Sequence, residues 1–313
     1  MCRIGQAHVH TPGCGDFSQY AKQGIQLAVW HPGGNWGDIY YSFHKSRMHT
    51  FGNLLKNGFT VVGFPQSMHF ADLAHLDEDS EVLKKEIEKS GVGMEDAMKR
   101  IILTWRQKNS YETALKKYGF VQNFLVPDIA FQVGPLLEQE RYPNSLVNSY
   151  DMKKKDIVFV MRGDQESIYA KYRSKPVIQK ILNGLPGGKD VTFVLDDWPM
   201  LKHPNTYYQR IPAAVREKTQ TDLDFDFMEH EAMSYISLGK VLITDRLHGS
   251  IFGFLAYKPH VYLENSYKKV SLTRNVAFNS SGVCGDQSLM HYEAASGFED
   301  ALRRAILMVD DLF

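Results

Sequence analysis

Short apolar runs of strand length alternate with amphipathic stretches along most of this chain. In the first half the runs cover residues 25–30, 60–64, 101–104 and 123–126, and in the second half residues 157–161, 191–195, 241–244 and 260–263. Such alternation is typical of βα units around a mostly parallel sheet. The sequence therefore predicts an α/β fold. Helices are predicted at residues 81–88, 111–118, 227–238, 250–257 and 298–309.

The chain has 313 residues, more than the roughly 100–200 residues of a usual single domain. Between residues 134 and 156 the alternation lapses into Pro, Asn, Ser and charged residues, which we interpret as a domain boundary. We predict two Rossmann-like lobes with mostly parallel sheets, residues 1–145 and 150–313, in a GT-B-like arrangement with the ligand in a cleft. The C-terminal helix, about 298–309, could pack on either lobe.

Charge and cysteine content narrow the range of partners. Lys plus Arg and Asp plus Glu both number 36, so the basic surplus typical of nucleic-acid binders is missing. No apolar run approaches the roughly 20 residues that span a bilayer. The three cysteines form no CxxC pair and no even framework. A small molecule or a neutral glycan is the expected partner, and the oligomeric state stays open.

A glycine-rich segment, residues 33–38, directly follows the first strand candidate. Its three glycines would let the backbone approach a ligand and turn into a helix whose free N–H groups favour an anion. We therefore place Gly34, Asn35 and Asp38 among the donor-binding candidates on the probable acceptor-side lobe. A tight turn without any ligand is the alternative.

The run Thr244-Asp245-Arg246-Leu247-His248-Gly249 follows a strand and opens a helix. Thr244 and Asp245 are predicted to cap that helix. The planar fork of Arg246 suits a carboxylate or phosphate, and His248, in the first helical turn, could change protonation state when an anion arrives. Alternatively, Arg246 pairs with a carboxylate of the protein and His248 is a buried, hydrogen-bonded histidine.

Another strand candidate, residues 157–161, ends in Arg162-Gly163-Asp164. Arg162 would reach the same place as Arg246 if their two strands were neighbours in a parallel sheet. Two guanidinium groups match a donor that carries both a carboxylate and a phosphate. Alone, an arginine at a strand end is more often a structural ion pair.

Metal sites are only weakly indicated. Asp222, Asp224 and Asp226 resemble the DxD metal site of glycosyltransferases, but they precede a predicted helix, where acidic residues complement the helix dipole. Whether they bind a metal stays open. His8 and His10 offer two ligands, too few for a site. We expect neither a metal nor an organic cofactor.

Taken in order, several segments make the chain resemble the polysaccharide pyruvyltransferases. The resemblance runs from Gly33 to Val270, and its most specific part is the 244–249 segment. The segments are residues 33–38, 63–67, Arg106 with 110–112, 127–131, 162–164, 244–249, 258–261 and 265–267.

The resemblance implies a GT-B-like fold and transfer of the carboxyvinyl unit of phosphoenolpyruvate to a sugar, such as a galactose-type residue of a glycan or polysaccharide. The product would be a pyruvate ketal, with phosphate released, so phosphoenolpyruvate is a co-substrate and not a cofactor. Arg246 and Arg162 would hold the donor, and His248, with Arg246, would be catalytic. Acceptor contacts or supporting roles fall to Asp245, Asn265, Tyr267 and Arg106.

The chain departs from the family pattern in one place. Where family members often have Asp-Asn-Ser-Tyr-Gly-Lys, residues 264–269 read Glu-Asn-Ser-Tyr-Lys-Lys, and the added charge could alter acceptor choice.

Two other functions remain open: a GT-B glycosyltransferase that uses a nucleotide sugar, and a non-catalytic protein of the same fold that binds a glycan or phosphate. The compartment is open too. The resemblance implies the cytoplasm in a bacterium, or the Golgi lumen behind an anchor absent here in a eukaryote.

Overall fold

The computed structural model describes residues 3–4, 8–9, 17–133, 154–164, 166–196, 235–279 and 291–313. The chain divides into two compact units, Met1–Ile129 with Leu272–Val283 and Ala130–Ser271 with Cys284–Phe313. Each unit has its own five-stranded parallel sheet, so the predicted α/β fold with two Rossmann-like lobes is confirmed. The units differ from the predicted lobes, because residues 272–283 group with the first unit. The GT-B-like arrangement stays a prediction.

The elements of the first unit are β1 (Arg3–Ile4), β2 (His8–Val9), α1 (Ser18–Lys22), β3 (Leu27–Trp30), β4 (Gly33–Gly37), α2 (Tyr41–Lys56), β5 (Thr60–His69), α3 (Leu73–Ser90), α4 (Met94–Arg100), β6 (Ile101–Trp105), α5 (Lys108–Lys117) and β7 (Gln122–Leu125). Its sheet has the strand order β3-β5-β6-β7, with β4 paired to β5. Most of the helices follow a strand and return the chain to the amino edge, as the βα pattern requires.

The core of the first unit is aromatic. Trp36 on β4 lies edge-on to Trp105 on β6, with ring centroids 5.1 Å apart, and edge-on to Phe51 on α2 at 6.4 Å. All three rings are at most 1% exposed. Edge-to-face packing of this kind adds to the stabilisation from buried area. It fixes β4 against the rest of the sheet.

The elements that follow are β8 (Lys155–Val160), α6 (Lys175–Asn183), β9 (Phe193–Asp196), β10 (Gly239–Thr244), α7 (Leu247–Leu255), β11 (His260–Leu263), α8 (Lys269–Asn279), β12 (Tyr292–Ala295) and α9 (Phe298–Leu312). The part of α8 from Leu272 onward groups with the first unit. In the sheet of the second unit the strand order is β12-β11-β10-β8-β9, and every pairing is parallel.

Strands β8 and β10 form the buried centre of the second sheet, which explains their unbroken apolar sequence. One face of β8 packs in a cluster with α9, and the other face in a cluster with residues 235–238. On α9, Phe298 stacks against Tyr172 at 4.6 Å and against Phe159 at 6.1 Å. From the sequence, this helix could pack on either of the two lobes. It packs on the second sheet, because its apolar stripe meets β10, β11 and β12.

Most of the helix predicted at residues 227–238 lies outside the described residues. Within the described ranges, no helix is long and apolar enough to cross a membrane.

Candidate active site

The carboxyl ends of β8 and β10 lie side by side in the second sheet. The strands are parallel neighbours, with Val160 opposite Thr244. Arg162 and Arg246 each follow this paired position by two residues, so both chains leave the sheet at the same edge. The sequence analysis predicted a joint role for the two arginines on the condition that their strands are neighbours in a parallel sheet, and the structure meets this condition.

Asp245 ties the two strand ends together. Its carboxylate is 1% exposed. One oxygen accepts the backbone N–H of Arg162 at 2.7 Å, and the other accepts the hydroxyl of Ser167 at 2.6 Å. Burial raises the pKa of Asp245, although these hydrogen bonds and the charge of Arg162 oppose the rise. The predicted helix cap is therefore wrong for this residue, because its carboxylate is used across the sheet and α7 has no side-chain cap.

Thr244 and Gly249 shape the start of α7. The hydroxyl of Thr244 donates to the carbonyl of Val160 at 2.8 Å and accepts the N–H of Arg246 at 3.0 Å. A Cβ on Gly249 would lie 2.4 Å from that same hydroxyl oxygen. Only glycine therefore lets the first turn of α7 pack so closely on the end of β10.

Arg246 and His248 are the residues of the 244–249 segment whose side chains the fold leaves toward solvent. Leu247 is buried in the core, whereas Arg246 is half-buried and His248 is exposed. His248 lies in the first turn of α7, as predicted. The alternative of a buried His248 is wrong, because its side chain is exposed and the first helical turn directs this position away from the sheet.

Arg162 is engaged by carboxylates of its own loop. Its Nε and Nη2 atoms donate to the two oxygens of Asp164 at 2.8 and 2.6 Å, and Nη2 lies 3.1 Å from Glu166. Burial acts to raise the pKa of Asp164, but Arg162, with a smaller contribution from Arg246, holds it below its usual value. The structure thus has the ion pair that the sequence offered as the alternative for Arg162, and donor binding by this residue stays a prediction.

Glu166 is a central residue that sequence reasoning missed. Its side chain is 2% exposed, and one oxygen accepts from Asn265 at 3.2 Å, Tyr267 at 3.3 Å and Lys269 at 3.3 Å. Burial alone would raise the pKa of Glu166, but the charges of Lys269 and Arg162 outweigh it and lower the pKa. The available signal was the polar run after β8, which places a second carboxylate at the strand end.

Asn265 and Tyr267 were predicted as acceptor contacts or supporting residues. Their contacts with Glu166 favour the supporting role, since they join the end of β11 to the loop after β8. Lys268 has a φ of 57°, in the left-handed region that favours glycine. The glycine of the related family pattern stands at this position, so lysine here carries a conformational cost along with its charge.

The segment 33–38 of the first unit is not the predicted strand-to-helix turn. Residues Gly33–Gly37 form β4, which pairs with the part of β5 beyond Pro65. Gly37 has a φ of 131°, and a Cβ there would lie 1.8 Å from the carbonyl oxygen of His69. The prediction failed because β5 continues past Pro65, and pairing with this part of β5 holds the glycines extended.

Of the donor-binding candidates on this segment, Gly34 lies within β4, and the side chain of Asn35 is outside the described part of the structure. One carboxylate oxygen of Asp38 accepts the backbone N–H groups of Ala71 and Asp72 at 2.6 and 2.9 Å. This contact fixes the chain just before α3. A donor-binding role for the three residues stays a prediction.

Arg106 is 1% exposed and joins three segments of the first unit. Its Nε donates to the hydroxyl of Ser67 at 2.8 Å, and its Nη1 donates to Asp128 at 2.5 Å. A buried guanidinium that is paired in this way supports the fold. Of its two predicted roles, burial favours support over contact with an acceptor.

Asp222, Asp224 and Asp226 lie outside the described residues, so the question of whether they bind a metal stays open. Among the residues that the structure does describe, no three His, Cys, Asp or Glu side chains gather as a metal site requires.

Comparison with known proteins places this geometry in a family. The family model described as polysaccharide pyruvyl transferase matches residues 11–267, most of the chain. The chain belongs to this family. Its characteristic 244–249 segment is the strand end and helix start described above.

Relatives of known name are distant. Pyruvyl transferase 1 of Schizosaccharomyces pombe is 27% identical over 241 residues, which cover 76% of this chain and 51% of the relative. EpsO of Bacillus subtilis, which carries the provisional name pyruvyl transferase, is 23% identical over 251 residues, 78% of this chain and 66% of the relative. The chain thus spans about half to two thirds of the length of these relatives.

One solved structure, an uncharacterised protein of Klebsiella pneumoniae, aligns with a TM-score of 0.44 and 17% identity over 83% of this chain and 74% of that protein.

Glu166→Gln should destabilise the protein. The substitution removes the charge that compensates two buried cations, and breaking a buried ion pair costs about 3–5 kcal/mol. Urea unfolding at pH 7 measures the loss in the free energy of unfolding. As a matched control, Glu299→Gln removes an exposed partner of Arg303 on α9 and should change stability by less than about 1 kcal/mol.

The difference in the free energy of unfolding between the parent and Glu166→Gln should depend on pH. Because the folded pKa of Glu166 lies below its ordinary value of 4.5, its carboxylate stabilises the fold above that pH. This contribution is lost as the pH falls through the folded pKa, so the gap between parent and variant should narrow below pH 4.5. Equal stability at pH 7 would contradict the assignment of Glu166 as the charge-compensating centre.

Proposed function

We propose that this protein transfers the carboxyvinyl unit of phosphoenolpyruvate to a sugar and forms a pyruvate ketal with release of phosphate. One observation about the most specific segment of the family carries the proposal. Thr244, Asp245 and Gly249 make contacts that stabilise the fold, whereas the side chains of Arg246 and His248 are directed toward solvent. A galactose-type residue of a glycan or polysaccharide is the proposed acceptor. The enzyme class, a transferase that depends on phosphoenolpyruvate, belongs to the same proposal.

Donor binding follows from charge and geometry. Phosphoenolpyruvate has a carboxylate and a phosphate, and a guanidinium binds either of them through two parallel hydrogen bonds. Arg246 is the N-cap residue of α7, and the N-terminus of a helix favours an anion. In the proposal Arg246 holds the donor and remains in place as phosphate departs, so that charge is stabilised without reorganisation.

His248 carries the proton transfers in the proposed mechanism. Its imidazolium protonates the methylene carbon of the donor, and the neighbouring carbon becomes an oxocarbenium-like centre. A sugar hydroxyl attacks that carbon and returns its proton to the imidazole. The bond between this carbon and the bridging phosphate oxygen then breaks, and its electron pair leaves with the phosphate. A second hydroxyl attacks the same carbon and closes the ketal ring, and its proton goes to the departing phosphate. The balance is one donor and one diol to one ketal and one phosphate.

Phosphate release tests the proposal against its alternatives. With phosphoenolpyruvate and a galactoside, the pyruvyltransferase should release one phosphate for each ketal formed. A glycosyltransferase would instead release a nucleotide from a nucleotide sugar, and a binding protein would release nothing. Either of those outcomes would overturn the proposal.

Arg246→Lys should weaken donor binding although the charge is kept. An ammonium cannot reproduce the planar fork, and each lost charge-assisted hydrogen bond costs about 1.5–3 kcal/mol, roughly 10- to 100-fold in affinity. Calorimetric titration of phosphoenolpyruvate measures the effect. Unchanged affinity would remove Arg246 from the donor site.

His248→Asn should lower kcat by about 10²- to 10⁴-fold, the usual contribution of a general acid or base. Because the histidine is exposed on the first turn of α7, the melting temperature should stay close to that of the parent. Asparagine keeps a polar side chain but cannot titrate. If kcat per folded molecule survives the substitution, His248 is not the proton carrier.

A further inference from the structure

Arg173 packs against the turn that follows β8. The position that a Cβ on Gly163 would occupy is 2.4 Å from Nη1 of Arg173 and 3.1 Å from its Cζ. Any side chain at residue 163 would therefore displace the guanidinium. Gly163 stands between Arg162 and Asp164 at the carboxyl edge of the second sheet, so Arg173 lies at the same edge as the candidate site.

The backbone around Arg173 is held in place. A single 3-10 turn, Ala170–Tyr172, precedes it, and its own N–H donates to the carbonyl of Ala170 at 3.1 Å. Tyr172 stacks on Phe298 of α9 with the ring planes 4° apart. Arg173 is thus anchored to the core of the second unit and differs from a mobile surface arginine.

The guanidinium of Arg173 has no partner in the described part of the structure. The side chain is half-buried, and its Nε is shielded from solvent without a hydrogen bond. Arg162, beside it, is bound by Asp164 and Glu166. A shielded donor without a partner is unfavourable and calls for an explanation. An anion supplied by a ligand would provide the missing acceptor.

We propose that Arg173 binds an oxyanion of the donor, the phosphate or the carboxylate. The inference rests on the proposed function and deepens it. The internal carboxylates neutralise Arg162, and Arg173 supplies the uncompensated positive charge next to it. Gly163 and the stacked Tyr172 hold the guanidinium in position before the anion binds. Binding therefore costs little side-chain conformational entropy.

The test measures binding of phosphoenolpyruvate, inorganic phosphate and pyruvate to the whole chain. Arg173→Gln should raise the Kd for phosphoenolpyruvate by at least about tenfold, as loss of a charge-assisted contact predicts. Arg173→Lys should recover part of the affinity. Lys175→Gln removes an exposed cation two residues away, at the start of α6, and should leave the Kd unchanged.

The two small anions tell the two oxyanions apart. Loss of phosphate binding in Arg173→Gln assigns the phosphate, and loss of pyruvate binding assigns the carboxylate. Stability is the second readout. Removing an uncompensated cation should leave the melting temperature of Arg173→Gln equal to or above that of the parent, whereas a structural arginine predicts a clear decrease.

Failure of this inference and failure of the proposed function give different results. If Arg246→Lys weakens phosphoenolpyruvate binding and Arg173→Gln stays within about twofold of the parent, Arg173 is outside the donor site and the proposed function stands. If the parent does not bind phosphoenolpyruvate, the proposed function fails. The titrations with phosphate and pyruvate then decide whether Arg173 binds an oxyanion. Equal binding of both anions by parent and Arg173→Gln, or a melting temperature lowered by the substitution, overturns the role of Arg173.

Discussion

The buried carboxylate of Asp245 organises the carboxyl edge of the second sheet. It follows β10, yet its two oxygens bind the backbone of Arg162 and the hydroxyl of Ser167 in the loop after β8. Burial makes the ionised form costly, as its raised pKa reflects, and the hydrogen bonds offset that cost. With the loop fixed in this way, the turn at Gly163 is placed as well, and so is the guanidinium that packs on it.

A second buried carboxylate extends this arrangement to the next strand. Glu166 gathers side chains from the chain after β11, so the ends of β8, β10 and β11 are joined by two acidic residues. Opposite charges inside this layer compensate one another, which is the condition for burying them. Two further cations, Arg246 and Arg173, lie at the same edge of the sheet, and we propose that both bind the donor. Fixed charges of this kind need no reorganisation when a ligand binds.

Much of this edge was predictable from sequence. Apolar runs located the strands, and the 244–249 segment identified a strand end followed by a helix start, with Arg246 and His248 placed as expected. The right-handed crossover rule still allows several strand orders, and the order in which β8 and β10 are parallel neighbours is only one of them. The pairing itself needed the structure.

Other features depend on contacts between residues far apart in sequence. Glu166 meets Asn265 across 99 residues, and no local pattern announces such a partner. A run of glycines is typical of a turn, but 33–37 became a strand because β5 continues past Pro65. There the side-chain amide of Gln66 donates to the carbonyls of His31 and Phe64 and bridges the irregularity in the ladder. Propensity was overridden by tertiary pairing in that segment.

We propose that the donor binds at the carboxyl edge of the second sheet. Amide hydrogen exchange of the whole chain, with and without saturating phosphoenolpyruvate, tests it most directly, because bound anions protect the backbone groups that they order. Donor binding at this edge should slow the exchange of peptides that cover residues 162–173 and 245–250, whereas a nucleotide sugar should cause no such change. Unchanged exchange in both segments under saturating phosphoenolpyruvate would contradict it.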